Sequence, residues 1–217
     1  MRIFLDTAKI EEVRQASKLG VVSGVTTNPT LMARAGATDY EATIKEIASI
    51  IPGPVSTEVT VTGVEPMLEQ ARTMAAWAPN AVIKIPVNAE GLEVTAILDK
   101  ENIRVNMTLC FSANQALLAG LAGAAYISPF VGRLDDIGQD GMQLVEDILD
   151  IYDNYPDIGT EVIAASIRHP EHCLRAAAAG AHIATIPYDI LIKMIQHPMT
   201  DIGISRFLSD WESVNKG

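Results

Sequence analysis

Positive charge and cysteine are both in short supply in this chain. Its 217 residues carry 16 Lys and Arg against 27 Asp and Glu, a formal net charge of −11 at pH 7. That balance excludes a nucleic-acid surface, because phosphate backbones are held by a basic patch. It also makes single arginines informative, since an acidic protein that binds a phosphorylated metabolite must gather a few cations locally. Cysteine occurs twice, as Cys110 and Cys173, in no metal-like spacing. The pair reads as two reduced thiols of a cytosolic protein. The opening Met1-Arg-Ile-Phe-Leu-Asp6 lacks the long apolar core of a signal peptide. Residues 105–132 carry no charge, but Asn106, Asn114, Gln115, Pro129 and several glycines interrupt them. That stretch reads as strand, buried helix and strand rather than as a membrane span.

What the chain does have is a core. Apolar residues make up 48% and charged residues 20%, which suits one soluble domain over residues 1–217. Apolar strands alternate with amphipathic helices along its whole length. Strands are expected at 2–6, 22–26, 55–59, 81–86, 103–109, 124–130, 161–165 and 182–186. Helices are expected at 8–19, 29–35, 39–51 (capped by Thr38 or Asp39), 64–78, 90–100, 113–121 (capped by Ser112), 142–152, 170–179 and 188–196. Residues 132–141 read as a charged loop. Eight strands, each followed by a helix, predict a parallel sheet closed as a (β/α)8 TIM barrel. A doubly wound open sheet would want a glycine-rich turn after the first strand, and Asp6-Thr7-Ala8-Lys9 is not one. A further helix is left over at 198–213, with Thr200 as its expected cap. Ile204, Phe207, Leu208 and Trp211 give it one apolar stripe. It can cover its own barrel or reach a neighbouring subunit.

The strand Ala81-Val-Ile-Lys84-Ile-Pro86 carries one lysine among apolar neighbours. A buried ammonium is costly unless paired or deprotonated, and a neutral amine is a nucleophile suited to a Schiff base. The alternative is a strand-end lysine whose head reaches water. The other strand ends weigh on the choice, because barrel active sites lie at the C-terminal ends of strands. Those ends supply Asp6, Thr26 and Asn28, Glu58, Asn106 and Thr108, Ser128, and Ser166. Residues i and i+2 of a strand share a face, and Thr26 with Asn28, Asn106 with Thr108, and Ser128 with Phe130 obey that parity. Asp6 or Glu58 can act as the base in carbon–carbon bond cleavage beside an iminium. Arg133 and Arg168 follow adjacent strands and suit a phosphate. The four histidines do not cluster at strand ends, which argues against a divalent-metal aldolase; neither a metal nor a cofactor is expected.

These residues resemble a family. Phe4-Leu-Asp6-Thr7-Ala8, Gly24-Val-Thr-Thr-Asn28-Pro-Thr30, Val82-Ile-Lys84-Ile-Pro86, Asn106-Met-Thr108, Ser128-Pro-Phe-Val-Gly-Arg133 and Ala165-Ser-Ile-Arg168 are similar to the motifs of small transaldolases, relatives of fructose-6-phosphate aldolase. The resemblance implies a dihydroxyacetone transfer between sugar phosphates, as in the pentose phosphate pathway. Lys84 would form the Schiff base and Asp6 would be the general acid/base. Glu58 and Thr108 would hold a proton-relaying water. Thr26, Asn28, Asn106, Ser128 and Phe130 would line the donor site, and Arg133, Ser166 and Arg168 would bind phosphate. The aldolase branch resembles this chain but has Gln where Glu58 stands and Tyr where Phe130 stands, so the resemblance favours transfer. It also implies homo-oligomeric rings, pentamers or decamers, in which the terminal helix packs on a neighbour. A sugar-phosphate binder without catalysis is the rival from another class.

Overall fold

A computed structural model describes residues 1–214. Along the chain run β1 (Arg2–Asp6), α1 (Ile10–Ser17), β2 (Val22–Thr26), α2 (Pro29–Arg34), α3 (Tyr40–Ile50), β3 (Val55–Glu58), α4 (Val64–Ala75), β4 (Ala81–Pro86) and α5 (Ala89–Lys100). They are followed by β5 (Val105–Cys110), α6 (Ala113–Leu121), β6 (Tyr126–Pro129), α7 (Val131–Asp135), α8 (Gly141–Asp153), β7 (Glu161–Ala164), α9 (Pro170–Ala178), β8 (Ile183–Ile186), α10 (Tyr188–Ile195) and α11 (Pro198–Val214). The eight strands pair in sequence order as one closed parallel barrel, β1 meeting β8 through Arg2↔Ile183 to Leu5↔Ile186. The (β/α)8 barrel expected from the alternation is the fold found.

Strand parity divides the core. One face of each strand looks outward: Leu5, Val25, Val55, Ile83, Ile85, Met107 and Ile127 pack with helix residues such as Val13, Ile47, Leu68, Leu98 and Ile148 in one continuous cluster. The other face looks into the barrel. There Phe4, Val82, Tyr126, Ile163 and Ile183 form a second, smaller cluster. Two residues further on stand Asp6, Lys84, Ser128 and Thr185, with Ala165 just past the end of β7, so the fold itself carries polar side chains to one level above an apolar floor.

Local chemistry sets the element ends. Asp39 and Ser112 cap α3 and α6 through Ala42 N–H (2.9 Å) and Gln115 N–H (3.2 Å), as expected. Helix α1 starts two residues later than expected, because Thr7 Oγ1 accepts from Lys9 N–H (3.1 Å) and holds the chain in a turn. The expected loop at 132–141 contains the short helix α7. Its first N–H groups, from Val131 and Gly132, donate to the Ala165 and Ser166 carbonyls on the next strand's exit (3.0 Å each). A five-residue helix anchored by a neighbouring loop has no periodicity to read. Nor does Thr200 cap the last helix; α11 begins at Pro198, where Met199 N–H donates to His197 Nδ1 (3.1 Å). The uncharged run becomes β5, α6 and β6, and no helix among the described residues is long and apolar enough to cross a membrane. Cys110 and Cys173 are both buried free thiols, and burial pushes them up to about 12 and about 11. No residue of α11 is buried in this chain, and it exposes Ile204, Phe207, Leu208 and Trp211.

Candidate active site

A cup of about 330 Å³ opens at the C-terminal ends of the strands. Asp6, Thr26, Lys84, Ser128 and Thr185 form its base, and Phe130, Ser166, Arg133 and Arg168 are on its wall. The strand register builds it. Glu58 pairs across to Lys84 and Lys84 to Asn106, so three polar groups from β3, β4 and β5 stand side by side.

Lys84 is 4% exposed. Its Nζ donates to the Thr27 carbonyl (3.2 Å) and lies 3.1 Å from Glu58 Oε2. The head therefore does not reach bulk water; it is an inward amine held by a carboxylate and a carbonyl. To expose its lone pair, the amine must yield a proton, and Glu58 is the acceptor within reach. Glu58 is itself fixed by Tyr40, whose hydroxyl donates to the Glu58 carbonyl (3.1 Å) and accepts from its N–H (2.9 Å).

Asp6 has its own chain of hydroxyls. Thr26 Oγ1 donates to Asp6 Oδ1 (2.7 Å) and lies 2.6 Å from Thr185 Oγ1. Since Thr26 has one hydroxyl proton and spends it on Asp6, Thr185 donates to Thr26. Burial raises the Asp6 pKa above the ordinary aspartate value, with Glu58 adding to the rise; Lys84 and the Thr26 hydrogen bond pull it back. A carboxylate pushed upward by its surroundings and restrained by a cation is suited to taking and returning a proton.

Asn106 stands beside Lys84 with its amide already engaged by protein. It is fully buried and not among the residues lining the cup. Its Nδ2 donates to Ser56 Oγ (3.1 Å) and its Oδ1 accepts from Ser128 Oγ (2.7 Å), so it orients Ser128, which does line the cup. Asn28 lines the cup while its Oδ1 caps α2 through Leu31 N–H (2.9 Å), leaving its amide N–H groups for a ligand. Thr108 is fully buried, and its hydroxyl has no protein partner among the described residues. The pairing Pro86↔Thr108 puts it one strand beyond Lys84. Phe130 packs edge-on against Phe111, ring centroids 5.7 Å apart, and carries the Arg133 guanidinium 5.1 Å from its ring centre.

Cations gather on one side. Arg133 stands on α7, Arg168 follows β7, and Ser166 between them has a left-handed backbone, φ 59°. Arg168 is held by Asp136 at 2.8 Å. Arg34, at the end of α2, also lines the cup. Sequence reading missed Arg34, as well as Ser56, Tyr40 and Thr185. Parity could have found Ser56 and Thr185: Ser56 is two residues before Glu58, and Thr185 is two residues beyond the buried Ile183. Nothing local marks Tyr40 or Arg34.

The chain matches the family model described as "Transaldolase/Fructose-6-phosphate aldolase" over residues 3–216. It is 61% identical over its whole length to a probable transaldolase of Dehalococcoides mccartyi, all of which is covered. A probable transaldolase of Thermoanaerobacter sp. is 56% identical over 97% of both chains, and one of Anaeromyxobacter sp. is 53% identical over the full length of both. A buried lysine at the mouth of a closed barrel and a family match spanning the fold agree: this chain belongs to the transaldolase/fructose-6-phosphate aldolase family and is an enzyme of that kind.

Proposed function

We propose that the protein is a transaldolase that moves a dihydroxyacetone unit between sugar phosphates through a Schiff base on Lys84. The observation that carries this reading is the setting of Lys84: a 4%-exposed amine between Glu58 and the Thr27 carbonyl, in the same cup as Asp6. A binding protein has no use for such an amine.

In this mechanism Lys84, having passed a proton to Glu58, adds to the C2 carbonyl of fructose 6-phosphate or sedoheptulose 7-phosphate. The carbinolamine loses water to give an iminium. Glu58 and the unpartnered Thr108 hydroxyl hold the water that relays these protons. Asp6 then removes the proton from the C4 hydroxyl. The C3–C4 bond breaks, its electron pair enters the iminium as an enamine, and an aldose phosphate leaves. The enamine carbon attacks the aldehyde of erythrose 4-phosphate or glyceraldehyde 3-phosphate, Asp6 returns its proton to the new alkoxide, and hydrolysis frees Lys84. Asn28 and Ser128 hold the donor's hydroxyls, with Asn106 holding Ser128. Arg133, Ser166 and Arg168 take the phosphate, Arg168 leaving Asp136 to do so. The enzyme would serve the pentose phosphate pathway in the cytosol, as a homo-oligomer in which the apolar stripe of α11 packs on a neighbouring subunit.

Phe130 and Glu58 separate transfer from simple cleavage. Phe130 borders the cup but has no hydroxyl, so it cannot protonate the enamine and release free dihydroxyacetone. In the double variant Phe130→Tyr with Glu58→Gln, free dihydroxyacetone should rise relative to transfer; an unchanged ratio overturns this discriminator. The reading as a whole is tested by borohydride reduction in the presence of fructose 6-phosphate. Peptide mass mapping should find the adduct on Lys84, and no adduct, or one on another lysine, defeats it. Adding erythrose 4-phosphate should yield sedoheptulose 7-phosphate.

A further inference from the structure

The segment carrying Arg133, which enters α7, and the loop carrying Ser166 and Arg168 follow different strands, yet they are hydrogen-bonded to each other. Val131 N–H donates to the Ala165 carbonyl and Gly132 N–H to the Ser166 carbonyl, both at 3.0 Å. The approach is so close that a Cβ on Gly132 would stand 2.2 Å from the Ser166 oxygen and 2.6 Å from Arg168 Cγ. Beyond these two bonds the seam is closed by side chains. His172, from the first turn of α9, is only 4% exposed. Its Nδ1 accepts from the Arg168 backbone N–H (3.3 Å), and its Nε2 lies 2.8 Å from Asp135 Oδ2 at the end of α7. Asp135 uses its other oxygen to accept from Gly141 N–H (2.9 Å).

The hydrogen-bond directions are forced. A backbone N–H can only donate, so Nδ1 is the bare nitrogen; the single ring proton is on Nε2 and goes to Asp135. The ring thus spans the seam as a neutral bridge with an acceptor facing one loop and a donor facing the other. The His169 ring lies against it, centroids 3.7 Å apart and planes tilted by 47°. Burial, helped by His169 and Arg175, holds His172 below the ordinary histidine pKa against the pull of Asp135.

We propose that His172 is a positioning residue for the phosphate subsite: by tying the Arg168 backbone to Asp135, it sets the spacing between the loop of Arg133 and the loop of Ser166 and Arg168. This rests on the reading above that those three residues bind the substrate's phosphate. Neither His172 nor Asp135 lines the cup. Their effect is on whether two cations and a serine hydroxyl converge on one anion.

Steady-state kinetics with fructose 6-phosphate and with unphosphorylated fructose as donors test it. His172→Phe keeps a ring and loses both hydrogen bonds. It should raise the KM for fructose 6-phosphate about tenfold, leave kcat within about threefold, and leave the parameters for fructose unchanged. His172→Gln, a neutral amide with both a donor group and an acceptor group, should recover most of that loss. Asp135→Asn should fall between the two, and both serve if the phenylalanine variant does not fold. Arg133→Ala and Arg168→Ala are the reference. If they raise the KM for fructose 6-phosphate and the His172 variants do not, the positioning role is overturned while the phosphate reading stands. If the arginine variants leave that KM unchanged, the phosphate reading falls and the inference falls with it. An equal rise for fructose would make His172 a support of the whole cup and also overturn the proposal.

Discussion

Two layers of the barrel interior lie one step apart on the same strands. Phe4, Val82, Tyr126, Ile163 and Ile183 make a floor of their own, packed and at most 5% exposed. Asp6, Lys84, Ser128 and Thr185 stand two residues on, about 7 Å further along each strand, with Ala165 just past the end of β7. The lower layer is dry and apolar. The upper layer holds an amine, a carboxylate and hydroxyls in a partly buried cup. The difference teaches that the floor is what makes the upper chemistry possible. It closes the barrel from below, so Asp6 meets a setting in which burial disfavours its charged form. Gly24 belongs to this arrangement: a Cβ there would stand 2.5 Å from the Phe4 ring, so β2 gives up a side chain to let the floor close.

The comparison breaks most sharply at Lys84. Lys84→Ala should lower transfer by about 10⁴-fold or more and abolish borohydride trapping, while the floor and the fold persist. A variant that kept measurable turnover would show that the upper layer acts without its amine. Asp6→Asn comes next. It should cut kcat by about 10²–10⁴-fold yet still allow trapping with fructose 6-phosphate, because in the proposed mechanism iminium formation precedes the step Asp6 serves. Its stability should move the other way. A carboxyl whose folded pKa is raised stabilises the fold in its protonated form; that contribution is complete below the unfolded pKa and is lost as pH rises through the folded value. Asparagine does not titrate. Asp6→Asn should therefore melt at or above the wild-type temperature on the alkaline side of that range, and a lower melting temperature there would refute the reading of Asp6 as a carboxylate held at a cost.

The two layers were unequally legible in the sequence. The barrel could be read because each outward strand face and each helix face repeats with its own period. The upper layer could be read in part because a lysine or an acid stands out among β-branched neighbours, as Lys84 does in Val82-Ile-Lys84-Ile. Thr185, in the strand Ile183–Ile186, does not stand out, since threonine is a common strand residue in its own right. Ser56 was hidden because a single small hydroxyl in a strand carries no charge to draw notice. What the sequence could not carry is who bonds to whom: Asn106 at position 106 suggests a sugar-binding amide, and only the register with β3 and β6 reveals that it also bonds Ser56 and Ser128. The same holds for α7 and the His172 bridge, which depend on a loop from another strand.

The floor can be tested on its own. Gly24→Ala forces the Phe4 ring or the strand to shift, because backbone and a packed aromatic have little room to give. The expected cost is about 1–3 kcal/mol of stability, read as a lower melting temperature, with KM and the trapping yield at Lys84 near wild type below the transition. Loss of trapping in a folded Gly24→Ala protein would mean that the two layers are not separable and that the floor sets the geometry of the amine as well as its dryness.

The mildest break lies within the upper layer. Thr185 donates to Thr26, which donates to Asp6. Hydrogen bonds directed at a carboxylate favour its ionised form, and a donor that is itself receiving a hydrogen bond is the stronger donor. Thr185→Val keeps the shape and removes the outer link. Asp6 should then sit slightly higher than its already raised value, so a smaller share is ionised at a given pH. We expect the acid limb of the kcat–pH profile to be displaced to higher pH with the plateau kcat little changed, while Thr26→Val, which removes the inner link, displaces it further. Equal profiles for Thr185→Val and the wild type would show that Thr185 fills space beside Thr26 and has no electrostatic part in the proton transfer.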